Sequence, residues 1–498
     1  MDDNFRQDAK SAAAFIPVEL DQELGQPWKP AGAPSARLQR NRLISLARSW
    51  VWPQARRRAP CVRPTAYLDG LRGFAALIVY FHHHELWVHD RLQQNAILEN
   101  AFGYEGKFYF AAFPGIRIFF TGGHFAVSTF FVLSGYVLSI KPLQLIEGGD
   151  MVALGDHLAS AFFRRWLRLF LPLMIVMFLY ATSWHVFGPP TDGVTPQATW
   201  RAEMWTLYAE FKNFSFFFRD GGIPWLSYSF HLWSIPVEMK GSMVVYASAL
   251  ALSRSTVSAR LWCQLALIGY FLYIADGWYC AMFMAGMLLS NLDHLAKTDR
   301  LPRLLAKLRP YKTFIFYHLF AISLYLGGIP CQNREVEQLA RNRGWHYLSY
   351  LKPQAVFDYK WFYLFWAAIF LVSSVAHIRC LRRFFETRFC QYLGRVCYAL
   401  YLVHGPVLWT VGDRLYQSIG LTAHGQDFAL PWANKVALPQ AGPLGLEASL
   451  LMAQVLLLPL TFCLADLATR AFDTPSVQFA QWLYRRTLAG ECGKRSKS

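Results

Sequence analysis

YLDGLRGFAALIVYFHHHELW, Tyr67 to Trp87, is an apolar run with Arg72 near its start and His82, His83 and His84 near its end. A run of this length with so few charges predicts a helix able to enter a bilayer. Ionisable side chains within such a helix are costly, so they persist where they face a protein interior or an aqueous cavity and do chemical work there. At about 1.5 Å and 100° per residue, the steps from Arg72 to His83 cover about 16 Å and return to nearly the same face. One face thus carries a cation near the surface and an imidazole well inside. His82 and His84 each turn about 100° away and are expected to be structural donors.

The rest of the chain repeats this apolar character. Of 498 residues 54% are hydrophobic, 16% aromatic and only 16% charged, which places the chain among polytopic membrane proteins. The net charge of +17 sits in short segments between apolar runs, where a positive-inside bias puts it, and no nucleic-acid partner is expected. The nine cysteines are scattered with no CxxC pair, so neither a disulfide framework nor a metal site is expected. MDDNFRQDAK, at residues 1–10, begins acidic and has no apolar core, so the first span is read as the targeting signal. Residues 1–65 read as a basic, flexible cytosolic tail with an amphipathic piece around Leu38 to Trp52. Residues 66–484 read as the membrane domain and 485–498 as a second basic tail.

A search for runs of about 20 apolar residues gives ten candidates. They centre on Leu71 to Val88, His124 to Ile140, Leu169 to Phe187, His231 to Leu252, Arg260 to Ile274, Gly277 to Leu292, Tyr311 to Ile329, Lys360 to Ile378, Tyr392 to Val411 and Glu447 to Phe472. The expected fold is an all-α transmembrane bundle of about ten spans. An even count and the distribution of Lys and Arg then put both termini in the cytosol. No internal repeat stands out, which counts against a transporter built from inverted halves.

On that topology His83, Glu238 and His404 each lie about five to seven residues from the lumenal ends of their spans, at similar depth. Two imidazoles and a carboxylate could meet there, a combination suited to a general base. Glu238, in LWSIPVEMKGSMVVY, is an acid in an apolar run and requires a partner. Arg164, Arg165 and Arg168 precede the third run, and Arg165 and Arg168 share one helical face. They read either as snorkelling boundary arginines or, with Arg72, as a mouth for a phosphorylated ligand.

LDGLRGFAALIVYFHH, with ten residues between Arg72 and His83, resembles the opening of the acyltransferase-3 family of integral membrane acyltransferases. FFVLSGYVLS (130–139), RRWLRLFLP (164–172), LWSIPVE (232–238), LGRVCYALYLVHGPV (393–407) and FDTPSVQFAQWL (472–483) follow in the family's order. IPVEMKGSMVV looks more like the fungal-type members than the bacterial ones. Ser128 stands where many bacterial members have an acid, so no carboxylate role is carried over there.

The resemblance implies transfer of a short acyl group, usually acetyl from acetyl-CoA, to an acceptor hydroxyl. His83 would be the base or a covalent acyl relay, with Arg72 its companion and Glu238 a supporting carboxylate. Arg165 and Arg168 would bind donor phosphates, and His404 matches a family position. No bound cofactor or metal is implied, acyl-CoA being a co-substrate. Fungal-type members are associated with small secondary metabolites and bacterial ones with cell-surface carbohydrate. The expected setting is an endomembrane or the plasma membrane, with the oligomeric state left open. The rival from another class is a proton-coupled transporter or lipid-binding protein on the same scaffold, in which Arg, His and Glu form an ion path.

Overall fold

The computed structural model describes residues 65–89, 110–188, 196–218, 224–331, 335–421, 431–439 and 448–488. Among these residues every regular element is helical, so the all-α expectation stands. The chain divides into two units, Met1–Ala66 and Tyr67–Ser498. The N-terminal tail with its amphipathic piece, apart from residue 65, and the C-terminal tail beyond residue 488 lie outside the described residues.

The helices that position the site are α1 (Ala66–His89), α2 (Gly123–Glu147), α3 (Met151–Phe187), α4 (Trp200–Phe214), α5 (Ser234–Ala251), α6 (Val257–Tyr273), α7 (Trp278–Lys297), α8 (Lys312–Gly327), α9 (Tyr359–Val375), α10 (Arg379–Phe385), α11 (Arg388–Val407), α12 (Ala448–Ala468) and α13 (Thr474–Thr487). Several begin where a short polar side chain precedes an apolar run. Asp150, Thr199, Thr256 and Thr387 each accept a backbone N–H three residues on, at the starts of α3, α4, α6 and α11.

The ten-span expectation is overturned. Only α2, α3 and the continuous Ala448–Thr487 stretch are long and apolar enough to cross a membrane among the described residues, and α9 with α10, bent by 92°, makes a fourth if counted as one span. The reason is length and polarity. α6, α8 and α9 have 17, 16 and 17 residues. Sixteen residues rise only about 24 Å, short of a hydrocarbon core of about 30 Å. α1, α7 and α11 are longer but diluted by polar residues such as Asp69, Arg72 and Glu85 in α1, Asp293 in α7 and Arg395 in α11. Both termini lie outside the described residues, and their assignment to the cytosol rested on a count of ten spans that no longer holds.

α1 lies between two apolar cores. Leu68, Leu71, Ala75 and Val79, at helical spacing, join the first with residues of α2, α7 and α9. Ala76, Tyr80 and Trp87 face the second with residues of α3, α11 and α12. Where α1 crosses α11 the backbones touch. A Cβ on Gly73 would lie 2.1 Å from the Gly394 nitrogen, and one on Gly394 2.5 Å from the Asp69 carbonyl oxygen. Glycine at both positions is what lets helices meet this closely. At the end of α2, Glu147 pairs with the buried Arg260 of α6 and, at 2.7 Å, with Arg300.

Candidate active site

Burial separates the three histidines of α1. His82 and His84 are 3% and 1% exposed, whereas His83 is only half-buried. His83 Nδ1 lies 2.9 Å from the Val79 carbonyl oxygen and 3.1 Å from His404 Nε2. A carbonyl only accepts, so His83 carries its proton on Nδ1 and shares it between these two acceptors. His404 Nδ1 lies 3.1 Å from the Leu400 carbonyl and donates there, which leaves its Nε2 free to accept. The tautomers agree, and His83 Nε2 is left with its lone pair and no hydrogen bond among the described residues. A neutral imidazole held by Nδ1–H with an open Nε2 is equipped to take a proton.

A third imidazole completes the group. His231, in the turn before α5, donates Nε2–H to the Tyr401 carbonyl at 3.0 Å, and its Nδ1 accepts from Ser229 Oγ at 3.2 Å. Tyr401 returns a hydrogen bond from its hydroxyl to the His231 carbonyl and accepts one from Ser234 at 2.7 Å. The His231 ring lies 4.3 Å from that of His404 and 5.4 Å from that of His83, centroid to centroid. Gly405 makes room for it, because a Cβ there would sit 2.3 Å from His231 Cε1. After α11 the chain passes into a π turn, Leu408–Gly412, that sets Trp409 5.5 Å from His231. Irregular turns of this kind are frequent beside functional sites.

Glu238 does not join the imidazoles. It forms an ion pair with Arg165, and Ser134 of α2 bonds the same carboxylate. Arg165 Nε also donates to Ser242 Oγ at 2.9 Å, so two residues one turn apart on α5 fix the guanidinium. Arg72 lies close enough to act on Glu238 electrostatically, and its own Nη2 reaches the Gly394 carbonyl at 3.3 Å and Asp69 at 3.6 Å. Arg168 is half-buried one turn along from Arg165 and acts on Tyr398 of α11. The sequence-expected residues therefore fall into two groups, His83 with His404 at one end and Arg72, Arg165, Arg168 and Glu238 at the other. The Arg72 to His83 rise of about 16 Å along α1 separates them. His231 was missed, although an ionisable residue seven positions before Glu238 was the available signal. No group of His, Cys, Asp or Glu among the described residues is arranged to hold a metal ion.

Beyond His231 the chain is firmly held. Tyr228 donates to the buried Glu203 of α4, which also accepts from the Gln197 backbone at 2.7 Å. Burial, together with that hydrogen bond, holds the Tyr228 phenol well above its ordinary range, so it stays a donor. Ser227 is bound through both its N–H and its hydroxyl to Glu210, at 2.8 and 2.7 Å.

Apolar helices around a polar interior, with an open imidazole at one end and a fixed arginine–carboxylate pair at the other, describe a membrane-associated protein with a candidate base. The comparisons make the class specific. A family model described as an acyltransferase domain matches residues 65–470, and the chain belongs to that family, the acyltransferase-3 family of acyl-CoA-dependent membrane enzymes. The chain is 30% identical to the O-acetyltransferase PaAT-1 of Phomopsis amygdali over 88% of each chain. It is 21% identical to the acyltransferase clz18 of Cochliobolus lunatus over 71% of this chain and 84% of that one. With the acyltransferase R4 of a Phoma species it shares 22% identity over 72% of this chain and 86% of the other. No solved structure matches.

Proposed function

We propose that the protein is an O-acyltransferase that moves a short acyl group, acetyl in the first instance, from acyl-CoA to a hydroxyl of a small acceptor such as a secondary metabolite. The observation that carries this reading is the His83 tautomer, fixed through Nδ1 by Val79 and His404 with Nε2 left open. Nε2 takes the proton of the acceptor hydroxyl as its oxygen attacks the thioester carbonyl. The C–S bond then breaks and the CoA sulfur leaves, regaining the proton from the imidazolium. While charged, the ring keeps both acceptors on Nδ1–H, which favours the intermediate. Glu238 and Ser242 orient Arg165, with Arg168 a turn away, toward the donor phosphates, and Arg72 completes a cationic end. The separation along α1 suits an extended pantetheine arm running from those cations to His83.

Acetyl and a small acceptor are favoured by the likeness to a fungal O-acetyltransferase, and an endomembrane or plasma membrane is the setting proposed. The test is metabolite profiling of a deletion strain complemented with wild type or with His83→Gln. The deletion strain is expected to accumulate a compound lacking one acyl group, which wild type acylates at the expense of acetyl-CoA and His83→Gln does not. Proton flux that depends on His83 without consumption of acyl-CoA would replace this reading with a transporter.

A further inference from the structure

Beside the imidazoles of His82, His231 and His404, the half-buried His83 has an apolar aromatic neighbour in Phe230. Phe230 lies 6.0 Å from His83, centroid to centroid, and 5.2 Å from Trp409. Trp225 stacks on Phe230 at 6.0 Å with 19° between the planes, and Trp225 is 61% exposed. A line of aromatic rings thus runs from the surface to the imidazole, stacked at Trp225 and edge-on at His83. An isolated exposed tryptophan would need no explanation. This one is stacked on the ring next to a candidate base, and the chain that carries it is anchored to α4.

Residues 224–228 alternate between inward and outward positions. Pro224, Leu226 and Tyr228 are buried while Trp225 and Ser227 face out. Two carboxylates on one face of α4, seven residues apart, grip the segment, Glu203 at Tyr228 and Glu210 at Ser227. Tyr228 also stacks on Trp184 of α3, at 5.1 Å and 16°. Glu203, 2% exposed, is expensive to bury and is balanced by Tyr228, the Gln197 N–H and His185 at 3.5 Å. Such anchoring holds the Trp225 ring at the surface, while Phe230 packs against the core beside Trp409 and forms the inner end of the line of rings.

We infer that Trp225 and Phe230 form the acceptor subsite, taking an acceptor with a flat apolar ring face that slides along the two rings until a hydroxyl on its leading edge meets His83. This rests on the acyl-transfer reading above and adds the class of acceptor. The chemistry of the lining decides against a carbohydrate. Indole faces also stack on sugars, but the rings that lead from the surface to His83 are Trp225 and Phe230, whose faces offer no array of donors and acceptors for a polyhydroxylated ring.

The test is photolabelling of the purified full-length protein in lipid nanodiscs with 4-(hydroxymethyl)benzophenone, an apolar aryl alcohol, and mapping of the adducts by mass spectrometry. Saturable adducts are expected on residues 224–233, or on the facing stretch 404–410, displaced by 2-naphthol and not by methyl glucoside. Trp225→Ala should reduce saturable labelling about tenfold and Trp225→Phe should largely retain it. If the alanine variant is not monodisperse, Phe230→Leu is read in its place with the same expected loss. Labelling that is unchanged in these variants, that maps elsewhere only, or that methyl glucoside displaces overturns the subsite. His83→Gln should keep the labelling while losing acyl transfer. Retained transfer in that variant would refute the base assignment and leave the subsite standing, whereas lost transfer with no labelling at residues 224–233 or 404–410 in the wild type would refute the subsite alone.

Discussion

Replacing His404 by leucine separates its role from that of His83. The substitution removes the Nε2 acceptor 3.1 Å from His83 Nδ1 and leaves the 2.9 Å bond to the Val79 carbonyl in place. The tautomer of His83 therefore survives, and one of two acceptors for its Nδ1–H is lost. A single hydrogen bond of this kind is worth roughly 0.5–1.5 kcal/mol, which corresponds to about a two- to tenfold fall in kcat. His404→Gln, whose side-chain carbonyl can accept the same proton, should recover part of that loss. His83→Gln removes the base itself and should cost about 10²–10⁴-fold. The assay is release of the CoA thiol by purified enzyme in nanodiscs, with the acceptor accumulated by a deletion strain, under single-turnover conditions so that chemistry is read rather than product release. KM for acyl-CoA should not change in either His404 variant, because the cations proposed to bind the donor lie at the other end of α1. A loss in His404→Leu as deep as in His83→Gln, or one carried by KM, would refute the assignment of His404 as the residue that positions His83.

At the opposite end, Arg165→Met and Glu238→Gln should each raise KM for acyl-CoA. Their double variant should be far less than additive, because the two side chains form an ion pair with each other. Independent effects in a double-mutant cycle would mean that Glu238 does not orient Arg165. Gly405→Ala forces the His231 ring aside, an overpacking worth roughly 1–3 kcal/mol. It should lower kcat while leaving donor KM unchanged, and a fully active variant would show that His231 is a bystander. Arg260→Met removes the buried partner of Glu147 and should destabilise the fold by about 3 kcal/mol, read as a lower Tm, with activity per folded molecule preserved.

The local structure was legible because it depends on neighbours in sequence. The run Tyr67 to Trp87 lies within a helix of almost the same extent, and the Asp and Thr residues ahead of apolar runs act as caps. The number of spans was not legible, since a window of apolar residues reads alike whether those residues face lipid or another helix. α7 shows the difficulty. Its Cys280 to Met287 stretch is almost wholly buried, with Phe283 and Met284 at 0% exposure, so its hydrophobicity serves the inside of the protein. The segment between the third and fourth apolar runs contains α4, because its buried positions Glu203, Leu207, Phe211 and Phe214 follow a helical period that includes an acid.

The site was legible one residue at a time and not as pairs. Glu238 was recognised as an acid in need of a partner, and Arg165 as a cation at a helix boundary, yet depth counted from supposed span ends put the acid with the imidazoles. Charge alone argued otherwise, since a buried carboxylate is stabilised far more by a guanidinium than by an imidazole that must stay neutral to act as a base. His231 is the reverse case. Its chemistry was visible in FHLWSIPVE, but its place beside His404 depends on Gly405, 174 positions away in the sequence, having no side chain. That dependence is informative in itself. Helix α1 supplies the proposed base, while α11 supplies the acceptor on its Nδ1–H and the glycines at 394 and 405 that allow close approach at both ends. The chemistry read from Tyr67 to Trp87 is therefore complete only when α11 is packed against it, and substitutions on α11 that shift this packing should reduce turnover before they reduce stability.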